Sequence, residues 1–333
     1  MNAIFISEQK EMFKQVYIKE YVDFLKKRLD TDGEVYNKTD IKSNPKLCKD
    51  VEYIFSTWDM PEMDESEIKT LFPKLKCIFY AAGTIKYFAK PFWNCGVRIF
   101  SAKAANGIPV AEYTVSQIIL ANKGMFFAAK NINSQNFESV RSIAEKFSGN
   151  FEQSVGLIGV GMIAKKVIRL LENYDVNIMV YDPYLSDSDA ECLNVKKCTL
   201  AEIFETCNVI SNHMANTKET EGMLDYNLFK RMKPYSTFIN TGRGAQVAED
   251  DLIRVLKGRD DIMALLDVTY PEPPHADNPL FEMNNCILTP HIAGSKHSEY
   301  HRMAKYMIDE YMRYSSGEKC LYEERKENFD IMA

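Results

Sequence analysis

Residues 154–164, Ser154-Val155-Gly156-Leu157-Ile158-Gly159-Val160-Gly161-Met162-Ile163-Ala164, decide the fold. They read as a strand, a glycine turn and the start of a helix. Gly159 permits the tight turn, Gly161 lets the backbone approach a pyrophosphate, and Ala164 replaces a third glycine where helix and strand pack closely. Ile163, Val167, Leu170 and Leu171 then recur at helical spacing, the apolar stripe of a packed helix. Such a helix presents free N–H groups and a positive dipole end to an anion.

A turn of this kind also arises by accident, so its surroundings matter. Asp182 ends the next strand-like run, at the distance where an acidic residue accepts hydrogen bonds from ribose hydroxyls. A carboxylate there repels a 2′-phosphate, which favours NAD over NADP; the plainer alternative is a turn residue before Pro183. Working outward, strand–helix alternation runs through 155–158, a helix to about Leu171, 178–181, a helix near 201–205 and 209–210. Thr199 and Glu202 form a capping-box pair for that second helix. Further strands are expected at 236–240, 263–268 and Cys286–Leu288, and a helix at 297–316. Toward the N-terminus, strands are expected at Ala3–Ile6, 51–56, 77–81 and 97–100, with one long helix over 8–29 and an acidic helix start at 64–67. Pro109 reads as the first turn of a long helix through Ile119 and Leu120. Residues 125–153 give no clear pattern. The series implies parallel sheets covered by helices, a doubly wound α/β fold in two lobes.

The composition suits a globular chain: 333 residues, 46% hydrophobic and 26% charged. A formal charge of −6 argues against a nucleic-acid binder, which needs a basic face. Among the eight cysteines no pair has CxxC spacing and no zinc-like set forms, so reduced thiols and no metal are expected. Neither a signal peptide nor a membrane span is expected, which points to the cytoplasm.

Three motifs fall at expected strand ends: Asn240-Thr241-Gly242-Arg243-Gly244, Asp267-Val268-Thr269-Tyr270-Pro271-Glu272-Pro273 and Thr289-Pro290-His291-Ile292-Ala293-Gly294. Ligands bind beyond the carboxyl ends of strands in open α/β sheets, so the three can converge. Reduction of a 2-keto acid needs a proton donor, a carboxylate to hold it and a cation for the substrate. His291, Glu272 and Arg243 match those needs. Taken singly, each has a plainer reading: a buried histidine, a solvated loop carboxylate, a surface arginine.

Together with 159–164, these motifs resemble the D-isomer-specific 2-hydroxyacid dehydrogenase family, closely over 106–294 and more loosely before it. The resemblance implies a Rossmann-type NAD lobe at 106–296. It also implies a smaller flavodoxin-like substrate lobe made of 1–105 and 297–333. Arg243 would bind substrate, His291 would be the acid/base and Glu272 would hold His291. Gly159, Val160, Gly161, Met162, Ile163 and Asp182 would bind the cofactor. Asp267 would contact the nicotinamide amide, Thr241 and Gly242 would lie along the cofactor, and His213 and Thr217 would line its ribose side. Ala82, Gly83 and Thr84 match the loop that receives the substrate carboxylate, and the helix after Pro109 would pair two subunits as a homodimer.

There are departures. Many members carry a second glycine in the substrate loop, where Gly83-Thr84-Ile85-Lys86-Tyr87 has none, and Ala215 stands where proline is common. Lys86, Lys90 and Trp58 are candidates for shaping the pocket. The leading expectation is an NAD-dependent 2-keto acid reductase. Formate dehydrogenase pairs its histidine with glutamine, which Glu272 argues against. An NAD(H)-sensing corepressor on the same fold remains the alternative.

Overall fold

A computed structural model describes residues 1–331. The chain divides into two compact units, Met1–Gly107 joined by the chain from Ser295 onward, and Ile108–Gly294. The first unit contains strands β1 (Ala3–Ile6), β2 (Val35–Tyr36), β3 (Tyr53–Ser56), β4 (Cys77–Tyr80) and β5 (Arg98–Ser101). The second contains β6 (Gln153–Ile158), β7 (Val176–Tyr181), β8 (Lys196–Lys197), β9 (Val209–Asn212), β10 (Thr237–Asn240), β11 (Met263–Leu266) and β12 (Cys286–Leu288). Strand β13 (Glu323–Glu324) returns to the first unit.

Among the described residues the first sheet runs β13-β5-β4-β3-β1-β2, parallel throughout except for β13 against β5. Its register aligns Phe5, Phe55, Phe79 and Phe100 in one row, and Ile4, Ile54, Ile78 and Ile99 in the next. Successive side chains point to opposite faces, so the sheet carries a phenylalanine face and an isoleucine face. Burying each of these rings contributes roughly 2 kcal/mol. Met303, Met307 and Tyr311 of the helix Ser298–Ser316 pack on the phenylalanine face. That helix also holds the fully buried Glu310, whose carboxylate accepts the Leu321 and Tyr322 N–H groups and Arg313 Nη1.

The second sheet runs β12-β11-β10-β9-β6-β7-β8, parallel throughout. Apolar clusters cover both faces, as a parallel sheet requires. Strand order reverses where β6 lies beside β9, so the crevice expected for a ligand opens beyond Ile158 and Asn212. No helix among the described residues is long and apolar enough to cross a membrane.

Two expectations need correction. The expected helix over 8–29 is two helices, Lys10–Val16 and Lys19–Lys26. The chain breaks at Tyr17, between β-branched Val16 and Ile18, so that the buried Tyr17 ring stacks on Phe13 at 4.7 Å. Pro109 does not open its helix either. The helix spans Lys103–Asn122 with Pro109 inside it, because the Ala105 and Asn106 N–H groups already bond to Ala102 O. An interior proline costs about 3 kcal/mol; burial of Val110, Ala111, Val115 and Ile118 along the same helix offsets it. The unassigned stretch 125–153 forms helices Met125–Asn131 and Phe137–Ala144 before β6 begins.

Candidate active site

The glycine turn follows β6. Gly159 has φ +86°, and a Cβ on it would lie 2.8 Å from Met214 N and 2.9 Å from His213 C. Both the backbone angle and the neighbouring chain after β9 therefore demand glycine. Gly161 is the N-cap of the helix Met162–Leu171, and a Cβ there would meet nothing within 4 Å. This open space beside unpaired helix N–H groups fits a pyrophosphate. Met162 is exposed at the helix start, while Ile163 packs into the apolar cluster and Ala164 is fully buried.

Asp182, just after β7, does more than the sequence suggests. Its Oδ2 accepts the Val160 N–H at 2.7 Å and its Oδ1 accepts the Tyr184 N–H at 2.8 Å. The carboxylate thus ties the glycine turn to its own loop, and each oxygen keeps a lone pair for a ribose hydroxyl.

Beyond β9 and β10 a buried amide network organises the loops. Asn212 Nδ2 donates to Asn240 Oδ1 at 3.0 Å and to Gln246 Oε1 at 2.6 Å. Gln246 Nε2 donates to Met214 O and Ala215 O at 2.8 and 2.9 Å. Gln246 Oε1 also accepts the Arg243 N–H, and Asn240 Nδ2 donates to Arg243 O. Sequence reasoning missed Asn212 and Gln246 as organisers; for Asn212 the available signal was a polar residue ending the apolar strand β9, and Gln246, in the turn after β10, offered none. Thr241 is buried with its hydroxyl 3.2 Å from that of Thr114. Gly242 leaves room for Gln246 and Asn212 beside it. Thr217 N–H donates to Thr220 Oγ1. His213 is pushed down to about 4 by burial, with Nε2 2.9 Å from Ser211 Oγ, so it is neutral near pH 7.

The catalytic candidates meet beyond β10, β11 and β12. His291 Nδ1 lies 2.6 Å from Glu272 Oε1. A carboxylate at that nitrogen holds the proton on Nδ1 when the ring is neutral, which leaves Nε2 for exchange with a ligand. Both side chains are substantially exposed, as groups that meet a substrate need to be. Burial lowers the Arg243 guanidinium from the ordinary arginine value, while the nearby Glu272 carboxylate raises it. Arg243 stays charged and its Nη1 donates to Gly242 O at 2.8 Å. A Cβ on Gly244 would fall 2.0 Å from the Thr269 carbonyl, so the loops after β10 and β11 touch backbone to backbone. Asp267 is only 2% exposed, and its carboxylate accepts Thr289 Oγ1, Ile292 N and Ala293 N.

Ala82, Gly83 and Thr84 belong to the first unit, where they follow β4. Ala82 is buried and Thr84 exposed, and Gly83 leaves 3.7 Å between an added Cβ and Asn106 Nδ2. In the same unit Trp58 packs edge-on against Tyr300 at 5.4 Å, and Lys90 is exposed.

Residues 115–293 match the family model described as D-isomer specific 2-hydroxyacid dehydrogenase, NAD binding domain. The chain is 31% identical over 242 residues to the putative 2-hydroxyacid dehydrogenase YoaD of Bacillus subtilis, covering 71% of this chain and 69% of that one. It is 30% identical over 200 residues to a D-3-phosphoglycerate dehydrogenase of Archaeoglobus fulgidus, covering 60% of this chain but spanning only 37% of that relative. The fold resembles apo D-mandelate dehydrogenase of Rhodotorula graminis, with a TM-score of 0.79, 21% identity and 98% of each chain covered. Two α/β units with mainly parallel sheets, a glycine turn at the strand-order reversal and a match over residues 115–293 of the second unit lead to one conclusion: the chain belongs to the D-isomer-specific 2-hydroxyacid dehydrogenase family, and its matched part is the NAD-binding domain.

Proposed function

We propose that this chain is an NAD-dependent oxidoreductase that interconverts a small 2-keto acid and the D-2-hydroxy acid, with His291 as acid/base. The observation that carries the reading is the 2.6 Å contact between His291 Nδ1 and Glu272 Oε1, with the charged Arg243 close enough to feel that carboxylate. The cofactor, when bound, supplies or takes the hydride at the substrate's C2. In the reducing direction His291 gives the proton on Nε2 to the keto oxygen, and Glu272 stabilises the cationic ring before transfer. Arg243 binds the substrate carboxylate and polarises the carbonyl. By the family resemblance, the backbone N–H groups of Ala82, Gly83 and Thr84 are the first unit's candidates for a substrate carboxylate.

Asp267 offers its remaining Oδ2 acceptor site to the nicotinamide amide, Thr241 and Gly242 line the cofactor, and His213 and Thr217 lie on the ribose side. Asp182 favours NAD by repelling a 2′-phosphate. The helix Lys103–Asn122 carries the contact of a homodimer, a reading supported by the exposed Leu120, Met125, Ile132 and Phe137 on it and the helices after it. A cytoplasmic location, with no membrane or nucleic-acid partner, accords with the acidic composition.

The test is NADH consumption against glyoxylate, pyruvate, hydroxypyruvate and longer or sugar-derived 2-keto acids. The relatives' names add D-3-phosphoglycerate and D-mandelate for the oxidising direction. Turnover of one of these supports the reading. Tight NADH binding with no turnover of any would replace it with an NADH-sensing role.

A further inference from the structure

The segment that carries His291 is held in an unusual shape. His291 has φ +51°, a left-handed backbone that a side chain with a Cβ disfavours by about 1 kcal/mol or more. Its own N–H bonds to Asp267 O at 2.9 Å and to Thr289 O at 3.0 Å. The next two amides, of Ile292 and Ala293, each donate to the Asp267 carboxylate at 2.9 Å. The two amides that follow His291 are therefore held by one buried carboxylate.

That carboxylate is itself held. Thr289 Oγ1 lies 2.5 Å from Asp267 Oδ1 and 3.2 Å from the hydroxyl of Tyr113. A threonine hydroxyl has a single proton, and an ionised carboxylate can only accept, so that proton points to Asp267. The Tyr113 hydroxyl must then donate to Thr289. Burial raises the Tyr113 phenol, which keeps that proton in place. The result is one directed chain from the helix Lys103–Asn122 to the histidine loop: Tyr113 to Thr289, Thr289 to Asp267, Asp267 to the amides that follow His291.

We propose that Tyr113 and Thr289 are positioning residues for His291. They touch neither substrate nor cofactor, and they act by orienting the Asp267 carboxylate so that the left-handed turn places the imidazole on Glu272. The inference rests on the reading of His291 as acid/base. It is tested first on NADH-free protein, where no turnover is needed.

In Thr289→Val, which keeps the shape and loses the hydroxyl, hydrogen exchange at the Ile292 and Ala293 amides is expected to quicken by about tenfold or more. Thr289→Ser is expected to restore the wild-type rate, and Tyr113→Phe to fall between. Wild-type exchange in a folded Thr289→Val protein overturns the proposal. With whichever 2-keto acid the wild type reduces, Thr289→Val is expected to lower kcat on the order of 10- to 100-fold, since small misplacements of a catalytic group cost that much. The NADH dissociation constant is expected to stay within about threefold, with serine again rescuing. Unchanged kcat overturns the proposal too. Should the wild type reduce none of the acids, the reading of the reaction has failed, and the exchange result alone decides whether these residues hold the loop. Should Thr289→Val not fold, Tyr113→Phe carries the same readouts.

Discussion

At His291 two separate demands meet: a left-handed backbone and a carboxylate on Nδ1. His291→Ala is expected to abolish keto-acid reduction, a loss of at least about 100-fold, while NADH affinity measured by fluorescence stays within a few-fold. A variant with near-wild-type rate removes His291 from the mechanism. Asp182 holds the Val160 N–H, and in the proposed reading it also repels a 2′-phosphate. Asp182→Ser is expected to narrow the preference for NADH over NADPH about five- to tenfold, matching roughly 1 kcal/mol of charge repulsion. An unchanged ratio of the two kcat/KM values would mean that another group reads the ribose. His213 makes the protein sensitive to acid. Its value near 4 in the folded chain lies below the ordinary 6.5, so between those pH values only the unfolded chain takes up the proton. The stabilisation is complete above pH 6.5 and disappears as the pH falls to 4, amounting to roughly 3 kcal/mol at most. Urea unfolding at pH 7 and pH 4.5 is expected to show a smaller pH loss in His213→Gln than in the wild type, and equal losses would exclude this origin.

Among the elements, the loops after the strands are set by how closely backbones approach. Gly244 faces the Thr269 carbonyl with no room for a Cβ, whereas Gly161 faces open space. Gly244→Ala is therefore expected to lose more than about 4 kcal/mol or fail to fold. Gly161→Ala should keep its unfolding free energy within about 1 kcal/mol yet bind NADH at least about tenfold more weakly, because the methyl fills the pyrophosphate space. Stability losses of equal size in the two variants, read from urea midpoints, would refute this division of roles. The same elements show what was legible in advance. The capping box of Thr199 with Glu202 formed as read, and the acidic helix start at 64–67 became a second one between Asp64 and Glu67, because a cap is a contact between near neighbours in sequence. The break at Tyr17 was not legible, because the ring also stacks on Phe5, which only the folded sheet presents.

For the whole molecule, the helix Lys103–Asn122 connects several roles. The division between the two units falls within it, between Gly107 and Ile108. Tyr113 and Thr114 reach the loops of Thr289 and Thr241, and Leu120 remains exposed near its end. Sedimentation equilibrium is expected to give twice the 38.3 kDa chain mass, and Leu120→Glu to shift the population toward the single chain. A wild-type monomer at micromolar concentration would overturn the dimer.

By itself the sequence determined the strand–glycine turn–helix at 154–164, the acidic end of β7 and the placing of Arg243, Glu272 and His291 after successive strands. Those features are local, written by turn chemistry and the period of apolar residues over a few positions. Only the tertiary structure decided that β6 lies beside β9, which presses Gly159 against His213 and Met214. It likewise brought Gln246 to the carbonyls of Met214 and Ala215, and joined Tyr113 through Thr289 to Asp267. Those partners lie far apart in the chain, and strand order alone makes them neighbours. Nothing in their own propensities could announce the contact.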